Sequence, residues 1–336
     1  MGVRSFSAET AESGFAAAGP CLIVAGPTAS GKSALAIALA QRLGGEIVNA
    51  DSMQVYRDLS ILTARPPDED TALSPHHLYG VLAAGETCAA GLWLAWMRRL
   101  LPTIWGRGRL PVVVGGTGLY LRALTAGLAP VPEVPPEARA AAAADYDRLG
   151  AAAFAADLAK LDPAAAAAIP PGNRQRMIRA MEVARATGKP ISVWQAEPHA
   201  GGLSRPPVVV SLLPEREWLY ARCDRRFRAM LAAGAWEQAE AALAAGLSPD
   251  APVCRALGAA ALIAAILGRM DREAAVAVAQ RETRNYAKRQ LTWFRRQLAA
   301  DIVLRPPQDS PESPEFAAKL AENVGLCLSK ADNALR

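Results

Sequence analysis

Histidine and cysteine are scarce in this sequence of 336 residues, which contains three histidines and five cysteines. The cysteines are scattered and never form a CxxC pair, which argues against both a disulfide framework and a zinc ribbon. Three histidines are too few for a rich metal site. Because unpaired cysteines are typical of reducing compartments, we expect a cytoplasmic protein.

Long apolar runs are also absent. Residues 258–267 form one of the most apolar stretches, yet they fall well short of the roughly 18 residues that a membrane-spanning helix needs. The first 20 residues lack a charged start followed by an apolar segment, so no secretory signal is predicted. We therefore expect no membrane partner.

The composition that remains is that of a globular protein with a mild positive charge. Hydrophobic residues make up 51% and charged residues 21%, with 37 Lys+Arg against 32 Asp+Glu and a formal net charge of +5. These proportions exclude wholesale disorder and collagen. The positive charge permits a nucleic-acid partner but does not by itself indicate one.

Short apolar segments that alternate with helical patterns predict an α/β fold. Residues 21–25, 46–50, 110–114 and 207–213 are strand candidates, and apolar strands of this kind are typical of a buried parallel sheet. Proline-rich stretches at 130–136 and 198–207 enclose a block that is rich in alanine and therefore in helix. That block is predicted to be an insertion into the α/β unit.

The predicted domain organisation has four parts. They are a flexible tail (1–19), an α/β core with C-terminal helices (20–129 and 205–300), a helical insertion domain (130–204), and a linker and tail (301–336).

A glycine-rich loop between the first strand and the first helix carries the clearest chemical signal. Residues 26–33 read GPTASGKS and fit the pattern G-x-x-x-x-G-K-[ST], whose backbone N–H groups surround phosphate oxygens. Lys32 adds a positive charge, and the Ser33 hydroxyl can bind a Mg²⁺ that bridges the phosphates. The predicted phosphate-binding residues are Gly26, Pro27, Thr28, Ala29, Ser30, Gly31, Lys32 and Ser33. The loop predicts a P-loop NTPase-like core with a parallel sheet flanked by helices. Together with the block between the proline-rich stretches, the predicted fold is this α/β core plus an inserted all-helical domain. The alternative for the loop is a chance match in a glycine-rich turn.

Polar residues follow two further strands. Asp51 comes after residues 46–50, and Thr117 comes after residues 110–114. Because the carboxyl ends of parallel strands share one crevice, both side chains are expected near the phosphate loop. From residue type alone, Asp51 is equally compatible with a catalytic role and with a helix cap. The strand before Thr117 ends without the acidic residue that Walker-type ATPases use to hold Mg²⁺, which argues against an NTP-driven motor or switch.

A basic stretch with interleaved aromatic residues lies at 281–296. Read as a helix, it places Arg281, Arg284, Lys288 and Arg295 on one face. Such a stripe suits a nucleic-acid backbone, and the alternative is a solvated face whose aromatic residues are buried. Residues 175–179 form a smaller polar and basic cluster of the same kind.

Taken in order, these segments resemble the tRNA dimethylallyltransferase family, in its bacterial form. The matching segments are GPTASGKS (26–33), NADSMQVYRDLSILTARP (49–66), PHHL (75–78), PVVVGGTGLYLRAL (111–124), NRQRMIRAMEV (173–183) and RETRNYAKRQLTWFR (281–295). The resemblance implies transfer of a dimethylallyl group from dimethylallyl diphosphate to N6 of the adenosine beside the anticodon, in tRNAs that read codons starting with U.

The resemblance also implies roles for individual residues. Asp51 matches the general base, and Thr117 and Lys32 complete the implied catalytic set, with Mg²⁺ as the cofactor and the anticodon stem-loop of tRNA as the partner. The helical insertion domain (130–204) is implied to bind this tRNA. The implied tRNA-binding residues are Asp51, Ser52, Met53, Gln54, Thr117, Arg139, Gln175, Arg176, Met177, Ile178, Arg179, Arg255, Gly258, Arg281, Arg284 and Lys288. We expect a monomer. Two other functions stay open: a P-loop transferase or kinase acting on a free nucleotide, and an NTP-binding RNA module without group transfer.

Overall fold

Six parallel strands form a single sheet in the order β3-β2-β4-β1-β5-β6. The structure, a computed structural model, describes Phe15, residues 19–309 and residues 313–333. Apart from Phe15 and Gly19, the predicted flexible tail at 1–19 lies outside the described residues. The strands are β1 (Leu22–Ala25), β2 (Gly45–Asn49), β3 (His76–His77), β4 (Leu110–Gly115), β5 (Val208–Leu212) and β6 (Ile302–Leu304).

The central strands are apolar because helices cover both faces of the sheet. All residues of β1, β2, β4 and β5 are buried, and Leu22 of β1 lies between Val112 and Val208 of its neighbours. Removing apolar side chains from water in this way stabilises the fold by about 1.5–3 kcal/mol for each large side chain. The four strands predicted from the sequence therefore form the centre of the sheet.

Fourteen α-helices and one short 3-10 helix, at Pro252–Arg255, lie in the described part of the chain. The α-helices are α1 (Lys32–Leu43), α2 (Asp68–Leu73), α3 (Ala90–Gly106), α4 (Gly118–Ala126), α5 (Pro136–Leu149), α6 (Ala151–Leu161), α7 (Pro163–Ala168), α8 (Arg174–Thr187), α9 (Ile191–Ala196), α10 (Arg216–Ala232), α11 (Ala235–Ala244), α12 (Ala259–Ile266), α13 (Arg272–Gln297) and α14 (Pro314–Asn333).

The chain forms two units. The core unit combines residues up to Thr125 with residues from Leu203 onward, and the insertion unit is Ala126–Gly202. The sheet belongs to the core unit, whereas α5 to α9 belong to the insertion unit. The divisions fall within four residues of the boundaries predicted from the proline-rich stretches.

The insertion unit has an apolar core of its own. Phe154, Leu158, Met177 and Met181 are fully buried there and pack together. Alanine favours helix throughout this region. Gly150, at φ 77°, separates α5 from α6, and Asp162 caps α7 by accepting a hydrogen bond from the Ala165 N–H at 2.9 Å.

The segment from 301 onward differs from the predicted linker and tail. Ile302–Leu304 pairs with β5 as an edge strand of the sheet. Helix α14 packs against α1 and buries Leu320, Ala321 and Val324 in the main core cluster. The polar and proline-rich residues between these two elements indicated a loose tail, but the apolar positions on either side of them bind the segment to the core unit.

None of the helices in the described ranges is long and apolar enough to cross a membrane.

Candidate active site

The phosphate loop connects β1 to α1 through backbone conformations that few residues adopt. Gly31 has φ 92° and Ala29 has φ 62°, both in the left-handed region. These turns place the loop directly before the N-terminus of α1, where unpaired N–H groups and the helix dipole favour an anion. Ser30 Oγ is buried there and has no hydrogen-bond partner in the described structure.

Lys32 carries the mobile charge of this loop. Its Nζ donates a hydrogen bond to the carbonyl oxygen of Pro27 at 3.3 Å. Burial lowers the pKa of the Lys32 ammonium to about 8, whereas the negative charge of Asp51 acts in the opposite direction. Lys32 and Asp51 therefore lie close enough to interact electrostatically, as the shared crevice predicts.

Hydrogen bonds join the ends of β2 and β4. The Ser52 N–H donates to Thr117 Oγ1 at 2.9 Å, and Thr117 Oγ1 donates to Ser52 Oγ at 3.3 Å. Asp51 Oδ1 accepts a hydrogen bond from the Met53 N–H at 2.9 Å. No described residue donates a hydrogen bond to Asp51 Oδ2. Asp51 thus acts as a local turn cap through one oxygen and leaves the other for a further partner.

Gln290 on α13 connects these two parts of the site, a role that the sequence reading missed. Its Oε1 accepts a hydrogen bond from the Thr28 N–H at 2.8 Å, and its Nε2 donates to the Gly116 carbonyl oxygen at 2.8 Å. The side chain is buried. The sequence offered one sign of this role, which is a glutamine on the apolar face of a helix, between Ala287 and Leu291.

Two arginines of α10 also contact the phosphate loop and were likewise missed. Arg222 Nε donates to the Ala29 carbonyl oxygen at 3.0 Å, and the Arg226 guanidinium donates to Thr28 Oγ1. Burial lowers the pKa of Arg226. Together with Lys32, these groups give the loop a positive environment suited to a phosphorylated ligand.

The glycines after β4 allow close packing against neighbouring elements. A Cβ atom on Gly115 would lie 2.1 Å from the Ala50 carbonyl oxygen, and one on Gly116 would lie 2.3 Å from Gln290 Nε2. On Gly118 it would meet the Trp293 ring of α13 at 2.6 Å. The GGTG sequence is therefore needed for packing at the positions that flank Thr117.

The basic face of α13 divides into a paired part and an exposed part. Arg284 is half-buried, and its Nη1 lies 2.6 and 2.9 Å from the two carboxylate oxygens of Asp224 on α10. Arg281, Lys288 and Arg295 are exposed. A surface cavity of about 490 Å³ follows the same helix and is lined by Asn285, Lys288, Arg289, Thr292, Trp293, Arg296 and Gln297. Phe294 is buried, so the aromatic residues divide between core and surface.

The residues predicted to bind tRNA also divide by exposure. Gln175, Arg176 and Arg179 of the insertion unit are exposed, as is Arg255 of the core unit. Met177 and Ile178 are buried in the core of the insertion unit, because their helix turns this apolar pair inward. Gly258 is buried as well, and a Cβ there would lie 2.6 Å from Phe227. These three residues support the fold and do not present a side chain to solvent.

A phosphate loop after the first strand, with polar residues at the ends of the next two strands along the sheet, defines a P-loop protein built to hold a phosphorylated substrate. Within this class, the chain belongs to the IPP transferase family. The model of that family matches residues 54–297, and a second model, described as isopentenyl transferase, matches residues 20–75.

Curated relatives are similar over most of the chain. A tRNA dimethylallyltransferase from Parvibaculum lavamentivorans is 53% identical over 282 residues, which cover 84% of this chain and 90% of the relative. One of the same name from Phenylobacterium zucineum is 52% identical over 306 residues, which cover 90% and 97%.

Solved structures share the fold. A full-length tRNA isopentenylpyrophosphate transferase from Bacillus halodurans has a TM-score of 0.67 at 31% identity, covering 94% of this chain and 98% of that one. A eukaryotic dimethylallyltransferase acting on tRNA has a TM-score of 0.74 at 25% identity, covering 91% and 79%. The family resemblance and the P-loop NTPase-like fold inferred from the sequence are confirmed, and the prenyltransferase class predicted for the enzyme is that of this family.

Proposed function

We propose that the protein transfers the dimethylallyl group of dimethylallyl diphosphate to N6 of the adenosine beside the anticodon, in tRNAs that read codons starting with U. The observation that carries the proposal is the position of Asp51, between the phosphate loop and Thr117, with one carboxylate oxygen not engaged by the described residues. The names of the relatives and of the structural neighbours favour tRNA over a free nucleotide as the acceptor.

The reaction forms one C–N bond and breaks one C–O bond. The N6 lone pair attacks C1 of the dimethylallyl group, and diphosphate leaves with the electrons of the C–O bond. The amine loses one proton, which Asp51 accepts. An exocyclic adenine amine is a weak nucleophile, and a carboxylate within hydrogen-bond reach typically contributes about 10²–10⁴-fold to the rate.

The remaining residues position the two substrates. The loop at 26–33 holds the diphosphate through backbone N–H groups, and Lys32 stabilises the charge that develops on the leaving group. Thr117 fixes the 51–54 turn through its hydrogen bonds with Ser52. The target adenosine must leave its stack to reach Asp51, which is least costly in a single-stranded loop.

Mg²⁺ fits this site as a companion of the diphosphate. Ser33 lies at the exposed first turn of α1, next to Lys32, in the position where such loops present a hydroxyl to the ion. Among the described residues no group of three or more His, Cys, Asp or Glu side chains could hold a metal ion alone. Ser33 and oxygens of the substrate would therefore share the ion, whose charge neutralises the diphosphate when bound.

Exposed basic and polar residues are proposed to bind the anticodon stem-loop. In the core unit these are Arg255, Arg281 and Lys288, together with residues 51–54, and in the insertion unit they are Arg139, Gln175, Arg176 and Arg179. We further propose a cytoplasmic monomer, since each chain carries a complete phosphate loop together with Asp51.

A pair of variants at Asp51 tests the function. We expect Asp51→Asn to keep the hydrogen bond from the Met53 N–H, and hence the turn, while losing the base. Transfer of labelled dimethylallyl from its diphosphate to unmodified tRNA should fall about 10²–10⁴-fold, with tRNA affinity unchanged. Asp51→Ala, which loses both the base and the turn cap, serves as the comparison.

The outcomes separate the competing functions. Near-normal transfer by Asp51→Asn would make Asp51 a structural cap. Label that appears on free AMP in a parallel reaction, and never on tRNA, would overturn the proposed acceptor. ATP hydrolysis without prenyl transfer by the wild-type protein would indicate an NTP-binding module instead.

A further inference from the structure

A carboxylate lies buried within the helical insertion unit. Glu182 on α8 is only 2% exposed, between the core residues Met181 and Val183. A charged group in such a place is costly unless it is paired. None of the predicted catalytic or binding roles uses this residue.

Two arginines cover this carboxylate. Arg179 Nη1 donates to Glu182 Oε1 at 2.6 Å, and Arg139 Nε lies 4.0 Å from Oε2. The side chains of Arg139 and Arg179 are 57% and 44% exposed, against 3% for Glu182. Oε2 has no hydrogen-bond partner among the described residues. The buried carboxylate thus lies beside two arginine side chains that are largely exposed.

Helix geometry places Arg179 between an exposed position and a buried one on α8. Gln175, Arg179 and Glu182 are separated by four and three residues, so Arg179 lies next to the exposed Gln175 on one side and the buried Glu182 on the other. Arginine has five N–H donors in a rigid plane, and Arg179 uses one of them for Glu182. The hydrogen bond to Glu182 already restricts the rotamers of Arg179, so the side chain loses less conformational entropy when it binds a phosphate. The other N–H donors of the guanidinium stay available for that phosphate.

We propose that Glu182 is a positioning residue for tRNA binding: it holds the guanidinium groups of Arg139 and Arg179 in the orientation that meets the phosphate backbone of the anticodon stem-loop. This inference rests on the proposed function, because it takes tRNA as the ligand of both arginines.

Replacement of Glu182 by a neutral residue distinguishes orientation of the two arginines from a purely electrostatic effect on tRNA binding. Glu182→Gln removes a negative charge beside two arginines, so electrostatics alone predicts tighter tRNA binding. Positioning predicts the opposite: affinity for unmodified tRNA falls about five- to tenfold, KM for tRNA rises, and kcat at saturating tRNA is unchanged. Fluorescence anisotropy and steady-state kinetics measure these quantities.

Asp145→Asn is the matched control. Asp145 in the same unit also pairs with two arginines, Arg148 and Arg185, at 2.7 and 2.8 Å. Its neutralisation should leave tRNA affinity unchanged or slightly higher. If Glu182→Gln behaves like this control, the positioning role is overturned.

A double-mutant comparison tests whether Glu182 acts through its partners. In a protein that already carries Arg139→Ala and Arg179→Ala, Glu182→Gln should have no further effect on tRNA affinity. A full additional loss would mean that Glu182 acts independently of the arginines. Should Glu182→Gln fail to fold, Arg179→Lys keeps the charge but loses the planar fork; wild-type affinity in that variant would overturn the proposal.

The activity of the wild-type protein distinguishes a failure of the proposed function from a failure of the role of Glu182. Absence of prenyl transfer to tRNA by the wild-type protein would refute the proposed function. Normal wild-type transfer together with unaltered binding by Glu182→Gln would refute the role of Glu182 alone.

Discussion

Polar side chains from distant parts of the sequence contribute to the geometry around the phosphate loop. The buried Gln290 and the half-buried Arg222 and Arg226 all bond to atoms of residues 28 and 29, and none of them belongs to the loop sequence. Each of these hydrogen bonds contributes modestly to stability when it is made, but a buried polar group that loses its partner costs free energy. The phosphate loop of this protein is therefore shaped by α10 and α13 as well as by its own glycines.

Replacement of Gln290 by leucine should weaken both the fold and substrate binding. The Thr28 N–H and the Gly116 carbonyl oxygen would each lose a partner, at a cost of about 1–3 kcal/mol in the free energy of unfolding. KM for dimethylallyl diphosphate should rise, because the loop is no longer held in place. Urea denaturation and kinetics measure both effects. Gln297→Leu, at an exposed position on the same helix, should change neither, and equal behaviour of the two variants would refute the role of Gln290.

The lowered pKa of Lys32 predicts proton uptake on phosphate binding. A phosphate favours the charged ammonium, so binding must raise the pKa from its value of about 8 in the free protein. At a pH just above that value, pyrophosphate binding should draw a proton onto Lys32 and should weaken as the pH rises further. Calorimetry in two buffers of different ionisation enthalpy measures the uptake.

Lys32→Arg is the control for this measurement, because arginine stays charged throughout the range. The difference between the two proteins removes the ionisation of pyrophosphate itself, and equal proton uptake would contradict the prediction.

The lowered pKa of Lys32 also affects the stability of the fold. Because the unfolded chain keeps its proton up to the ordinary pKa of 10.5, Lys32 contributes a free energy of unfolding that increases with pH between about 8 and 10.5.

At the scale of elements, α13 is the helix that joins the strand ends. It contacts the phosphate loop and the segment after β4 through Gln290, and it packs Trp293 over Gly118 at the start of α4. The same helix presents Lys288 and Arg281 to solvent. One face of α13 therefore supports the site, while the other is available to a charged partner.

Gly118→Ala should disturb this packing. A Cβ at 2.6 Å from the Trp293 ring requires α4 or α13 to move, and overpacking of this kind costs about 1–3 kcal/mol in the free energy of unfolding. Gly91→Ala in the first turn of α3 is the matched control, since no atom lies within 4 Å of its added Cβ. The control should be neutral or more stable by up to about 1 kcal/mol. Equal stability of both variants, measured by thermal denaturation, would show that α4 and α13 adapt to the methyl group.

The elements that could be predicted from sequence are those whose local pattern agrees with their environment. β1, β2, β4 and β5 are buried throughout and consist mainly of apolar residues, which is the pattern expected of strands covered on both faces. β3 consists of two histidines, of which His77 Nε2 bonds to Glu46 Oε2 at 2.7 Å, so no apolar pattern marks it. Edge strand β6 has only three residues.

The site residues likewise divide into those that chain order predicts and those that only the packing of distant segments brings to the site. Lys32, Asp51 and Thr117 follow strands and could be expected at one edge of the sheet from chain order alone. The contact of Gln290 with Thr28 spans 262 residues, and no local pattern reports a contact of that range. The pairing of Arg284 with Asp224 on α10 was equally hidden, because a helical stripe does not reveal which neighbouring helix packs against it.

At the scale of the whole molecule, the core unit depends on segments from both sides of the insertion. β5, β6 and α14 all follow residue 202. β5 pairs with β1, β6 pairs with β5, and α14 packs against α1. α14 contributes Leu320 to the cluster beneath the sheet, at 4% exposure. The stability of the phosphate-binding unit is therefore tied to a helix that supplies none of the named site residues.

Leu320→Ala should destabilise the core unit without altering the site. Removal of a buried leucine typically costs about 2–5 kcal/mol in the free energy of unfolding. Leu326→Ala on the same helix is the control, because that side chain is 62% exposed and its loss should change stability by no more than about 0.5 kcal/mol. Urea denaturation gives both values, and similar values for the two variants would refute the role of α14 in the core.

The order of the two units along the chain has a consequence for synthesis on the ribosome. The insertion unit is one continuous segment, so all residues of its core have been translated once Gly202 has been added. At that moment the sheet still lacks β5 and β6, and the strand edge of β1 that β5 will cover is open. The unit that carries the phosphate loop is therefore completed second, after the insertion has all of its own packing partners.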